Sequence, residues 1–231
     1  MSIIFITGGN TGLGFESARR LKELGHKIYI GCRDEEKGKK AALELGIEYI
    51  VVDVSDDESV KKAVNAYRQK ETYLDVLINN AGMPGAFVLP KDITADVMYN
   101  VYNTNVFGIV RVTHEFLPLL ELSENPVIVN VGSGLGSFGQ VLNPDKIESK
   151  VNSVSYCSSK AAASMLTVQY AKGLPNIKIN AVDPGPTNTG GQFKNGTQTI
   201  QEGTDAIVRM ATIGKDGPTG TFSDRNGIIP W

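Results

Sequence analysis

A doubly wound, mostly parallel α/β sheet with helices on both faces is the architecture that this sequence predicts. Seven short apolar runs alternate with amphipathic stretches along the chain, and most of the runs are apolar at consecutive positions, as strands covered on both faces are. Strand, helix and strand repeated six times call for parallel pairing through right-handed crossovers.

The first run, IIFIT at 3–7, passes directly into TGGNTGLG at 7–14 and then into the amphipathic stretch FESARRLKELG. Next come KIYIG at 27–31 with the helix EEKGKKAALELG, and EYIVVDV at 48–54 with the helix ESVKKAVNAYRQK. Gly25 and Gly46 stand where C′ glycines end helices, and Asp56 suits the N-cap of the third helix. LDVLIN at 74–79 precedes one long helical segment from Thr94 to Glu121. PVIVNV at 126–131, the helix SYCSSKAAASMLTVQYAKG, IKINAV at 177–182, the helix IQEGTDAIVRMA and TGTFS at 219–223 complete the series. The irregular stretches 80–93, 132–154 and 183–198 each follow a strand. Open α/β sheets bind ligands at the carboxyl ends of their strands, so all three are candidate site segments.

The 231 residues suit a single domain spanning 1–231 with one sizeable core. A formal charge of −2 argues against nucleic-acid or membrane-surface binding by bulk electrostatics. Cys32 and Cys157 have no metal-ligand spacing, so no metal is expected and both read as reduced thiols. No apolar run approaches the eighteen or so residues of a membrane span, and IIFIT follows no basic leader, so a cytoplasmic location is expected. His26 and His114 read as structural, and Trp231 as a packing residue against the domain or a partner subunit.

Two motifs carry chemistry. The pattern Thr-Gly-x-x-x-Gly-x-Gly is expected by chance roughly 0.02 times in a chain of this composition. Gly8, Gly12 and Gly14, with Asn10, Thr11 and Leu13 between them, would make a tight turn that offers the free N–H groups of a helix N-terminus to a pyrophosphate. The second motif, Tyr156-x-x-x-Lys160, is weak alone, since about half of one such pair is expected at random. On a helix, however, its phenol and ammonium lie side by side.

The glycine spacing differs from the G-x-G-x-x-G of ordinary Rossmann dehydrogenases. Together, TGGNTGLG, NNAG at 79–82 and Tyr156-x-x-x-Lys160 closely resemble the short-chain dehydrogenase/reductases, in order and over nearly the whole chain. The resemblance implies a seven-stranded Rossmann-type sheet, a nicotinamide cofactor, and hydride transfer between a carbonyl and an alcohol, on the carbonyl-reductase side of the family. It makes Tyr156 the general acid/base, Lys160 its partner and a ligand of the nicotinamide ribose, and Ser133 the hydrogen-bond partner of the substrate oxygen. The family usually has Ser-Ser at 132–133, so Gly132 is a departure, read as relaxing the loop. Asn105 matches the asparagine that kinks the fourth helix and holds a water beside the lysine. Asn80, Ala81 and Gly82 match the turn along the cofactor, Asp53 with Val54 the adenine contact, and Pro184, Gly185, Thr187 and Thr189 the nicotinamide flank.

Hydride transfer to a carbonyl generates an alkoxide, which needs a proton donor. An ammonium about 4 Å from the phenol would contribute on the order of 4 kcal/mol at an effective dielectric of 20, lowering the phenol pKa by two or three units. The first turn of the helix adds to this.

At the cofactor's 2′ position, the second strand ends with uncharged Cys32 where NAD sites carry an acid, and Arg33 follows with a guanidinium suited to a 2′-phosphate. NADPH is the expected cofactor. NAD remains the alternative, with Asp34 taking the acidic role after a two-residue slip, and Thr11 stands where many NADP-dependent relatives carry a second basic residue. Segment 137–154, in which polar residues stand beside Phe138, Val141 and Leu142, is read as a flap over a small-molecule carbonyl or alcohol substrate. A homo-oligomer, dimer or tetramer, is expected through helices 94–121 and 155–172. Two other readings stand beside the reductase: a non-catalytic NAD(P)-binding sensor, and an isomerase or dehydratase of the extended family.

Overall fold

The computed structural model describes residues 1–85, 88–189 and 196–231. Parts of two of the loops expected at the site, 86–87 and 190–195, therefore lie outside the described residues.

The expected strands form as β1 (Ile3–Thr7), β2 (Lys27–Cys32), β3 (Glu48–Val51), β4 (Val76–Asn79), β5 (Val127–Val131), β6 (Lys178–Val182) and β7 (Phe222–Asp224). The order is β3-β2-β1-β4-β5-β6-β7, parallel throughout, and the chain reverses direction across the sheet between β3 and β4. The sheet has eight strands, not seven. Gly227–Ile228 adds a short antiparallel β8, since the turn after Asp224 folds the chain back: the Asp224 carboxylate accepts from the N–H groups of Asn226 and Gly227.

The helices are α1 (Gly12–Glu23), α2 (Glu35–Leu45), α3 (Asp57–Arg68), α4 (Ala95–Asn105), α5 (Phe107–Leu120), α6 (Phe138–Val141), α7 (Val154–Gly173), α8 (Ile200–Gly203) and α9 (Asp205–Ala211). Asp34, Asp56 and Thr94 cap α2, α3 and α4 with their side chains. The long helix expected over 94–121 is broken at Val106, whose ψ of −62° and φ of −115° separate α4 from α5. The last expected helix is likewise two, divided at Thr204.

Alternate residues of one strand serve opposite faces of the sheet. Ile3 and Phe5 pack with Tyr67 of α3, Phe116 of α5 and Ala171 of α7, whereas Ile4 and Ile6 pack with Leu21 of α1, Ala41 of α2 and Ile207 of α9. Burial of these consecutive apolar side chains on both faces fixes the sheet and leaves the loops at its carboxyl edge to build a site.

Candidate active site

The loop after β1 meets the turn after β4 through Thr7 and Asn80. Thr7 Oγ1 accepts from the backbone N–H groups of Asn80 and Ala81, both at 3.0 Å, and Asn80 Nδ2 donates to the Thr7 carbonyl at 2.9 Å. Gly14 sits against this knot: a β-carbon there would stand 2.4 Å from the Gly8 carbonyl oxygen and 2.5 Å from Asn80 Nδ2. The helix begins at Gly12, three residues earlier than its amphipathic pattern indicates, and its N-cap Thr11 makes no side-chain cap. Its first N–H groups are thus unclaimed by a side chain, unlike those of α2, α3 and α4.

Val131 ends β5, and Ser133 begins a 3-10 turn over Gly134–Gly136 by accepting from Leu135 N at 3.2 Å. That turn lies directly on α7, where a β-carbon on Gly136 would come within 2.5 Å of the Lys160 backbone. Close seating brings Ser133 to Tyr156, whose phenol it meets in a hydrogen bond. Gly132 is closely packed. Phe222 and the Val182 carbonyl both lie 3.2 Å from where its β-carbon would be.

Lys160 is 6 % exposed and donates from Nζ to the Val131 carbonyl at 2.8 Å. Its ammonium lies 5.7 Å from the Tyr156 ring centroid. The phenol is not lowered as the residue spacing suggested. Burial pushes Tyr156 up to about 12, with the Ser133 hydrogen bond acting against it, and burial pushes Lys160 down to about 8. Desolvation dominates because Lys160 is buried with its ammonium bound to the Val131 carbonyl, and the half-buried Tyr156 lies on an enclosed cavity wall.

Asn105, the last residue of α4, is 1 % exposed. Its amide binds the Met83 backbone and Ser159 Oγ, the latter at 3.1 Å, so the side chain joins the break after α4 to the β4 turn and to α7. A β-carbon on Gly82 would lie 3.4 Å from Asn105 Oδ1 and 3.7 Å from Lys160 Nζ, which sets these groups on one wall.

After β6, Asp183 is 7 % exposed and accepts from the N–H groups of Gly185 and Gly134; burial pushes its carboxyl pKa up. Pro184, Gly185, Thr187 and Thr189 follow, and Thr189 approaches Gly12 across the mouth. These segments enclose a cavity of about 410 Å³ whose wall includes Leu13, Asn80, Gly82, Ser133, Tyr156 and Lys160. From segment 137–154 the wall takes Ile147, Glu148 and Val151. Phe138, Val141 and Leu142 are not on the wall, and Phe138 and Leu142 are 69 % and 77 % exposed. The short α6 is instead fastened outward, with Ser137 Oγ donating to the Pro230 carbonyl and Gly139 N to that of Trp231. Trp231 itself stacks on Phe222 at 5.4 Å.

Arg33, Asp53 and Val54 lie outside this cavity, past the ends of β2 and β3. Arg33 is exposed and free of ion pairs among the described residues, while Asp34 is engaged as the α2 cap and with Lys37 Nζ at 3.3 Å. Asp53 accepts from Ser55 N and Oγ, and the Val54 side chain belongs to the core. Sequence reasoning missed Lys37 and Lys40, which share a second cleft with Asn10, Thr11 and Gly12. The run of lysines in the first turns of α2, just after Arg33, was the available signal. It also missed Thr7 and Asp183, whose roles are packing and backbone pairing.

Among the described residues, no group of three or more His, Cys, Asp or Glu side chains is placed to hold a metal, and no helix is long and apolar enough to cross a membrane.

Residues 2–199 match the family described as short chain dehydrogenase. A short-chain dehydrogenase from Penicillium roqueforti is 36 % identical over 92 % of this chain and 89 % of its own length. The (+)-neomenthol dehydrogenase of Capsicum annuum is 28 % identical over 96 % of this chain and 95 % of its own. The fold superposes on the NADPH-bound carbonyl reductase from chicken fatty liver with a TM-score of 0.86 and 25 % identity, over 100 % of this chain and 99 % of that one. The overall fold is thus shared with a carbonyl reductase, and the sequence with dehydrogenases. The chain belongs to the short-chain dehydrogenase family, as an NAD(P)-dependent oxidoreductase of carbonyl and alcohol groups.

Proposed function

We propose that this enzyme is an NADPH-preferring carbonyl reductase in which Tyr156 is the general acid. The observation that carries the proposal is the meeting of Ser133, Tyr156 and Lys160 on one wall of the cavity at the carboxyl edge of the sheet.

The residues fit a dinucleotide. The uncapped start of α1, the Gly8–Gly14 approach and the cleft between the α1 and α2 starts suit phosphates. Gly8, Asn10, Thr11, Gly12, Leu13 and Gly14 would hold the pyrophosphate side, and Asp53 with the Val54 backbone the adenine side. Asn80, Ala81, Gly82, Pro184, Gly185, Thr187 and Thr189 would hold the nicotinamide side. Arg33 and Lys37 would take the 2′-phosphate. When bound, the nicotinamide supplies the hydride for the carbonyl carbon.

The chain's own groups supply the proton. A phenol held near a pKa of 12 is fully protonated at neutral pH and is loaded to donate when the carbonyl oxygen gains alkoxide character. Ser133 Oγ, fixed by the turn on α7, steadies that oxygen and the phenol together. The Lys160 ammonium favours negative charge at either oxygen, and Val131 holds its direction. Asn105 keeps the β4 turn against α7. The chemistry calls for one active site per chain, and assembly into a homo-oligomer through the exposed Tyr99, Phe107 and Met165 of α4, α5 and α7 is part of the same reading.

The test is NADPH oxidation, followed by absorbance, across a panel of ketones and aldehydes. Turnover of at least one, with slower use of NADH, supports the reading. Cofactor binding without turnover of any carbonyl or alcohol would identify a sensor instead.

A further inference from the structure

Glu148 lies on the wall of the substrate cavity, on the short 3-10 turn Ile147–Lys150. Its carboxylate is half-buried and makes no hydrogen bond or ion pair among the described residues, although Lys146 and Lys150 are neighbours in sequence. Its Cγ would stand 3.2 Å from a β-carbon on Gly134, the residue after Ser133, so the side chain packs against the serine turn at the edge of the cavity.

The surrounding charges do not neutralise it. Lys160 is the only cation on that wall among the described residues, and its Nζ is bound to the Val131 carbonyl. Asp183 adds a second carboxyl to the same corner, already occupied by the backbone N–H groups of Gly185 and Gly134. Gln140, 6 % exposed, brings an unpartnered Nε2 to 2.9 Å from the same Gly134 β-carbon position. An ionised carboxylate only accepts hydrogen bonds, and at the edge of an apolar wall made by Ile147, Val151 and Leu135 it selects a cationic donor over a neutral group.

We propose that Glu148 is a specificity-determining residue that binds an ammonium group on the substrate, so that the enzyme prefers ketones carrying a basic amine on an arm away from the carbonyl. This rests on the carbonyl-reductase reading and names its substrate class. Ile147 and Val151 take the apolar body, and Glu148 the charged end.

The test compares two ketones of the same shape, 4-(dimethylaminomethyl)acetophenone, charged at pH 7, and 4-isobutylacetophenone, which is neutral. Both are measured with the wild-type chain and with Glu148→Gln, by calorimetric binding in the presence of NADP and by NADPH oxidation. The wild type is expected to bind the cationic ketone more tightly, and the variant to reduce that cationic-to-neutral preference by about 10- to 100-fold. Glu148→Lys should invert the preference. Equal affinities for the pair, no measurable binding of the cationic ketone, or a preference unchanged by Glu148→Gln overturns the proposal. Binding is read apart from turnover, so a cationic preference that depends on Glu148 without reduction of either ketone upholds the site while counting against the reductase reading.

Discussion

Asn105 and Met83 exchange a pair of hydrogen bonds, Met83 N donating to Asn105 Oδ1 at 2.8 Å and Asn105 Nδ2 donating to the Met83 carbonyl at 3.0 Å. A side-chain amide here satisfies a loop backbone as a neighbouring strand would. The pairing is possible because the helix is interrupted at Val106, one residue on.

Asn105→Ala should therefore destabilise the fold by about 1–3 kcal/mol, since it removes both partners of the Met83 backbone and one partner of the buried Ser159 Oγ. Urea unfolding measures it. A loss below about 0.5 kcal/mol would show that water replaces the amide without cost.

Removing only the proton donor, Tyr156→Phe should lower turnover by at least about 100-fold while leaving NADPH affinity nearly intact. Stopped-flow reduction of the best ketone and fluorescence titration of the cofactor give the two numbers. Turnover within tenfold of wild type would remove Tyr156 from the mechanism.

The pH profile should report Lys160. Burial lowers its pKa from 10.5 to about 8, so the ammonium is present below about pH 8 and is lost above it. The kcat/KM for NADPH, which reads the free enzyme, should accordingly fall as pH rises through 8, long before the phenol at about 12 titrates. Lys160→Arg should abolish the inflection in whatever activity remains, and a wild-type profile flat to pH 9.5 would exclude a role for this charge.

Cofactor choice should follow Arg33. Arg33→Ala is expected to weaken NADPH by about 1.5–3 kcal/mol with little change for NADH, as loss of a charge-assisted phosphate contact implies. Lys37→Ala should act in the same direction, because it faces the cleft beside Asn10, Thr11 and Gly12. Calorimetric titration of both cofactors decides it, and equal losses for NADH and NADPH would show that neither side chain reads the phosphate.

The sequence by itself determined the sheet and the family. Consecutive apolar residues such as those of Ile3–Thr7 leave a strand no option but burial on both faces, and the glycine loop after it is written in contiguous residues. Local capping was equally legible, as Asp56 on α3 shows. Only the tertiary structure decided the break at Val106, the added β8, the placing of Glu148 on the cavity wall, and the state of Tyr156. Spacing told that Lys160 lies beside the phenol, but not that Val131 turns its ammonium aside and that burial raises the phenol. Motifs record which groups are neighbours along one helix; a pKa and a pocket wall are sums over every element packed around them, and that packing brings together residues far apart in the chain.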